Sequence, residues 1–150
     1  MYEGVLSVIE LGLKLMRHEY TAGLFDGEGT VAFSRQRVTA FRAPMVSIPS
    51  CTFALVKFLK QTYGGNISTK RTYKTGHQKS YVWALRYDAA LRFLAAILPH
   101  LKEPEKIRRA KMLVEEYKGL TLRNGRYSPQ QLKLKRQFEK RFFRYTRKKR

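Results

Sequence analysis

The spacing of apolar and polar positions along this 150-residue chain changes repeatedly, and each change marks an element. Val5, Ile9, Leu13 and Met16 recur at helical spacing, which predicts an amphipathic helix or helical extension. It leads into a small-residue helix, Tyr20-Thr21-Ala22-Gly23-Leu24-Phe25-Asp26-Gly27-Glu28, broken at Gly29. Thr30 to Arg37 then alternates, Val31 and Phe33 against Thr30, Ala32, Ser34 and Gln36, and predicts a strand. A second strand over 42–48 is expected to pair with it. Pro44 lacks a ladder donor and suits an edge or bulged position there. Ser50 is placed to cap a helix from Cys51 to Tyr63, with an apolar face of Phe53, Leu55, Val56, Phe58 and Leu59 and an end at Gly64-Gly65. Strands over 66–74 and 79–87 are joined across Thr75-Gly76-His77-Gln78. Asp88 can cap a helix that reaches Leu98 and stops before Pro99, and Pro104, Glu105 and Gly119 frame another over 105–118. Ser128-Pro129 opens a final helix in which Leu132, Leu134, Phe138, Phe142 and Phe143 stand among basic residues, with Arg147 to Arg150 expected to fray. The order predicts an α+β domain with one four-stranded antiparallel sheet and C-terminal helices.

Charge then narrows the partner. Lys and Arg number 31 against 11 acids, a formal net charge of +20, far beyond what solubility requires. The distribution is uneven. Residues 1–30 hold five acids and two bases, Val31 to Tyr87 holds ten bases and no acid, and Thr121 to Arg150 holds twelve bases with Glu139 alone. Such segments neutralise phosphates and release counterions. A basic helix with an apolar stripe, as in the tail, can also lie on a membrane surface, but the rest of the chain already points to a polyanion. Cys51 stands alone, which excludes an intrachain disulfide and a Cys-rich zinc site and fits an intracellular compartment, organellar or prokaryotic. Glu3 and Glu10 and the lack of a basic start argue against a signal peptide. No apolar run approaches the roughly 20 residues of a membrane span. His18, His77 and His100 have no ligand spacing and are assigned no catalytic role.

The stretch from Tyr20 to Gly29 carries the chemistry. Ala22, Gly23 and Gly27 form a closely spaced small face that lets a second helix approach. Asp26 and Glu28 fall at the helix C-terminus, where the macrodipole disfavours carboxylates unless a cation compensates. An acid pair in a chain built to attract polyanions points to phosphodiester chemistry with a divalent ion. Only one such stretch occurs, so the simplest burial of its small face is an isologous pairing of two copies, with Ala22, Gly23, Asp26 and Gly27 at the interface.

Thr21 to Gly29 resembles the signature of the LAGLIDADG homing endonucleases, with Thr21 in place of the leading leucine and Glu28 in place of the second aspartate. The resemblance implies an αββαββα core, here residues 1–120 with the motif helix over 16–28, followed by a basic helical extension over 121–150. It implies the single-motif type: a homodimer acting on a long, near-palindromic double-stranded DNA site, with no small-molecule cofactor. By the same resemblance Glu28 and the Gly27 carbonyl are the metal ligands, for Mg²⁺ or Mn²⁺, and Asp26 caps and braces the paired helices as a second catalytic candidate. Lys106, with Lys102 as its rival, resembles the family's active-site lysine. Many members place a glutamine just after the second strand, where this chain has Ile48-Pro49-Ser50. Ser50 is the catalytic candidate at that departure and is also the helix cap proposed above.

Sequence readout is expected from the sheet, one face buried and the other in the major groove. Candidate DNA contacts are Arg35, Gln36, Arg37, Arg42, Lys70, Arg71, Lys74, Gln78, Lys79 and Arg86. Parity puts Arg35 and Arg37 on the side of Val31 and Phe33 unless a bulge intervenes. Two other readings stay open: a noncatalytic nucleic-acid module such as an intron maturase, and a basic structural protein. Glu28 separates them from the nuclease, because a carboxylate facing phosphate costs a pure binder affinity.

Overall fold

The computed structural model describes residues 2–71 and 74–144, excepting the side chains of residues 2–7, 9, 10 and 13–15. The expected fraying of Arg147 to Arg150 lies outside the described residues. The elements run α1 (Tyr2–Glu28), β1 (Thr30–Ser34), β2 (Ala43–Ser50), α2 (Phe53–Tyr63), β3 (Asn66–Lys70), β4 (Ser80–Arg86), α3 (Tyr87–Ile97), α4 (Pro104–Glu116) and α5 (Pro129–Phe143). Short 3₁₀ turns at Leu98–His100 and Lys118–Leu120 follow α3 and α4. The first helix is one continuous element of 27 residues.

The sheet is antiparallel, in the order β1-β2-β4-β3. β1 and β2 pair as expected, yet β2 is central, which an internal proline would ordinarily forbid. Register resolves this. Pro44 pairs only with Phe33 of β1, since β4 ends at Arg86 opposite Met45, and Pro49 pairs only with Val82 of β4, since β1 starts at Thr30 opposite Ser47. Each proline therefore stands where the central strand is locally an edge.

One sheet face is core. Val31 and Phe33, Val46 and Ile48, and Trp83 and Leu85 are buried beneath the helices. From α1 come Thr21, Ala22 and Phe25, all fully buried, and Phe25 meets Phe93 of α3 edge-on with centroids 5.6 Å apart. Gly29 follows because a Cβ there would collide with the Phe25 ring. Trp83 is held in place by its indole N–H, which donates to Gly64 O at 2.8 Å. Gly65, at φ +90°, lies so close to β4 that a Cβ would sit 2.5 Å from Ala84 O, so that position requires glycine on both counts. No described helix is long and apolar enough to cross a membrane.

Several boundaries differ from the sequence reading. β1 stops at Ser34 rather than Arg37, so no bulge is needed to account for Arg35 and Arg37; both lie in the β1–β2 loop. β3 and β4 are also shorter than the alternation suggested. Ser50 does not cap α2: it ends β2, its Oγ accepts the Thr52 N–H at 3.0 Å, and Thr52 is the N-cap. Asp88 lies inside the first turn of α3, after the N-cap Arg86, where its charge suits the dipole without a cap bond.

The final helix begins as expected, with Ser128 and Gln131 forming a reciprocal capping box. Phe138 and Phe142 are buried in the same core as β1, their rings 5.5 Å from that of Phe33. Phe138→Ala is accordingly expected to cost about 3–5 kcal/mol of stability, read as a lowered urea midpoint. A loss below about 1 kcal/mol would mean that α5 does not contribute to the core.

Candidate active site and nucleic-acid interface

The C-terminus of α1 meets the N-terminus of α4, and between them the two acids of the motif part company. The Asp26 carboxylate accepts backbone N–H groups from Lys102 at 2.9 Å and Glu103 at 3.0 Å. Glu103 in turn caps α4 by accepting from Glu105 N and Lys106 N. Asp26 is thus committed to joining the two helices. Glu28 is exposed and makes no hydrogen bond or ion pair among the described residues.

The compensating cation that a helix C-terminus calls for is Lys106. Its ammonium donates to the carbonyl oxygens of Phe25 at 2.9 Å and Asp26 at 2.5 Å, two of the acceptors that a helix end leaves unpaired. Lys102 reaches the same place through its backbone N–H. Asp26, Gly27, Glu28 and Lys106 are therefore neighbours, while Ser50 stands at the end of β2. No group of three or more His, Cys, Asp or Glu suited to hold a metal occurs among the described residues.

A second network fixes the helix that carries Lys106. Arg108 donates to Glu105 at 3.0 and 2.6 Å, and Arg109 donates to it at 2.9 Å. Arg108 also reaches Phe142 O at 2.8 Å, and Arg109 reaches Val31 O at 3.3 Å. Hydrogen bonds from Arg108, more than those from Arg109, hold the Glu105 carboxyl below its ordinary 4.5. A carboxylate with a lowered folded pKa contributes stability above its unfolded value and loses it as pH falls through the folded one. Glu105→Gln should therefore lower stability near neutrality and flatten its decline below about pH 4.5, read by urea unfolding across that range. An unchanged acid limb would count against this ion pair.

One side of α1 is open. Met16 and Tyr20 are 65% and 54% exposed, Gly23 and Gly27 are exposed, and a Cβ at either glycine would meet no heavy atom within 4 Å. These four positions share one helix face. Ala22, expected on that face, is instead fully buried in the core of its own chain, because it belongs with Thr21 and Phe25 on the opposite side.

The open face of the sheet is small and polar: Thr30, Ala32 and Ser34 on β1, Met45 and Ser47 on β2, Asn66, Ser68 and Lys70 on β3, and Ser80, Val82, Ala84 and Arg86 on β4. Of the ten candidate contacts, only Lys70 and Arg86 stand on strands. Arg35, Gln36 and Arg37 are exposed in the β1–β2 loop, and Arg71, Lys74, Gln78 and Lys79 in the β3–β4 loop. Arg42 is not free to read a base, since it donates to Glu139 at 2.6 Å and to Phe33 O at 3.1 Å. Thr30, Ser34, Ser47, Asn66 and Ser68 were not among the sequence candidates. Their signal was parity opposite to the apolar residues, which a search for Arg, Lys and Gln passes over.

No family model matches the sequence, and no curated protein does. Solved structures do match. The homing endonuclease I-TnaI shares 19% identity over 85% of this chain and 88% of its own, with a TM-score of 0.56. The homing endonuclease I-CvuI, in complex with its target in the presence of calcium, shares 14% identity over 86% of this chain and 96% of its own, with a TM-score of 0.54. At these identities the likeness is one of fold, and it agrees with the αββαββα order and four-stranded antiparallel sheet: the chain has the homing-endonuclease fold.

Proposed function

We propose that this chain is a LAGLIDADG-type, site-specific DNA endonuclease that binds a near-palindromic duplex as a homodimer and hydrolyses one phosphodiester in each strand. The observation that carries the reading is the state of Glu28, an exposed carboxylate without a partner among the described residues, at the negative end of a helix in a chain of net charge +20. Nothing in the fold calls for it, whereas Asp26 beside it is satisfied by two backbone donors.

The residues fit a hard divalent cation such as Mg²⁺ or Mn²⁺. Mg²⁺ takes few protein ligands and retains water and phosphate oxygens, and Glu28 with the Gly27 carbonyl offers such a sparse set. The bound ion would neutralise charge on the scissile phosphate and activate water for in-line attack. Lys106, already at the α1 terminus, adds positive charge beside the phosphate. Asp26 fixes the angle between α1 and α4 and so the place of both Glu28 and Lys106. Two copies pairing through Met16, Tyr20, Gly23 and Gly27 would bring the two Glu28 side chains together at the dimer axis, one for each strand. Residues 1–120 form the catalytic unit in this reading, and the basic segment 121–150 supplies further phosphate contacts.

The two hairpins would lie along the major groove, with loop arginines and lysines at base edges and phosphates and the small face between them letting the sheet approach closely. Ser50, in place of the family's glutamine, favours the noncatalytic maturase alternative. Selection from randomised DNA duplexes alongside structured RNA decides. The endonuclease reading expects one enriched duplex with nearly two-fold symmetry; preferential capture of structured RNA would replace it with the maturase reading.

A further inference from the structure

The β1–β2 loop is exposed, with Val38 reaching 90% exposure, and its one ring-to-ring contact among the described residues is Phe41 edge-on to Tyr127, with centroids 4.8 Å apart. Between it and α5 lies a cavity of about 200 Å³ bordered by Phe33, Phe41, Tyr117 and Phe138. Without contact across that space, the stance of the loop at Arg35 and Arg42 depends on the polar ties at its margins. These come from α5. Glu139, the one acid between Thr121 and Arg150, accepts from Arg42 Nε at 2.6 Å and pairs with Arg35 Nη2 at 4.0 Å. It therefore bonds directly to the last part of the loop and lies near the first. Arg42 is fixed on its other sides by Phe33 O at 3.1 Å and by the Phe143 ring, 4.8 Å beneath the guanidinium. One turn earlier on α5, the Lys135 ammonium lies 5.1 Å from the centroid of the loop residue Phe41 and donates to Leu120 O at 3.2 Å.

We propose that Glu139 is a positioning residue for DNA recognition: by holding Arg42, and pairing more loosely with Arg35, it sets the path of the β1–β2 loop and hence which base edges Gln36 and Arg37 address. The inference rests on the DNA-binding reading above. It makes the C-terminal helix a determinant of sequence preference although Glu139 itself touches no DNA. A merely electrostatic role predicts the opposite behaviour, because removing a negative charge from a strongly basic protein should strengthen binding to every duplex alike.

The test compares native protein, Glu139→Gln and Arg42→Lys on the selected duplex and on all its single-base-pair variants by equilibrium competition. Arg42→Lys keeps the charge but loses the two-sided guanidinium clamp, and it serves if Glu139→Gln does not fold. The proposal expects both variants to lose discrimination by about fivefold or more at the same few base pairs of each half-site and to keep the native profile elsewhere. Uniformly tighter binding by Glu139→Gln with an unchanged profile, or a native profile in Arg42→Lys, would overturn it. If the native protein itself prefers no duplex over another, the DNA-recognition reading fails first and the positioning role fails with it.

Discussion

Glu28→Gln is expected to abolish DNA cleavage, by a factor on the order of 10³ or more, and to leave binding to the same duplex intact or slightly tighter. The two halves follow from separate features of the site. Loss of cleavage follows because Glu28 is the exposed carboxylate at the end of α1, where the other acid, Asp26, is already occupied by the Lys102 and Glu103 N–H groups. A neutral amide of the same size cannot attract a hard cation as a carboxylate does. Retained binding follows because Glu28 supports nothing else: it has no described partner to orphan, and removing a negative charge near phosphate favours association. Asp26→Asn should behave differently. It keeps an oxygen for one N–H but weakens the link between α1 and α4, so stability and activity fall together. Denaturation curves beside cleavage rates distinguish the two variants. Equal loss of stability in both would mean that Glu28 has a structural role.

The second large effect is on assembly. Gly23→Leu places a branched side chain on the open face of α1, where a Cβ meets nothing within the chain, so the monomer should fold with a melting temperature close to native. Two helices approaching through Gly23 and Gly27 cannot accommodate it. In the proposed homodimer the second half-site is bound intramolecularly, and separating the subunits forfeits that advantage, about 10²–10⁴-fold in apparent affinity. Sedimentation of native and variant protein, with binding to full and half sites, checks this. A native chain that is monomeric on and off DNA, or a Gly23→Leu variant that dimerises normally, would contradict the pairing. Ala22→Leu is the complementary control, since Ala22 is fully buried and overpacking there should lower stability by about 1–3 kcal/mol.

Local patterns carried most of the fold, and the misses have physical causes. Alternation revealed four strands, but Arg35 to Arg37 and, among the described residues of the β3–β4 loop, Arg71 and Lys74 to Lys79 lie outside any ladder, and β1, β3 and β4 are bounded by their ladders. Pro44 announced an edge. It could not announce that the central strand would be staggered against both neighbours. Ser50 and Asp88 have the chemistry of helix caps, but the chain turns two residues after the first and two residues before the second. At the candidate site, the motif made Asp26, Gly27 and Glu28 visible. The division of labour between the acids was not, because it depends on backbone N–H groups more than seventy residues away. Lys106 was legible only as one of two lysines, and its bonds to Phe25 O and Asp26 O arise because the N-terminus of α4 meets the C-terminus of α1. Ala22 misled for a simple reason. A small residue beside glycines looks like part of their face, but the helical turn carries it round to Phe25 and the core.

The most direct measurement is digestion of complex genomic DNA by the native chain in Mg²⁺, with sequencing of every new end and a parallel reaction in chelator. Paired breaks, one in each strand, are expected at a few discrete sites of nearly two-fold symmetry, all absent in the chelator. Breaks scattered without sequence preference, or no breaks under conditions where the protein binds that DNA, would contradict the endonuclease reading.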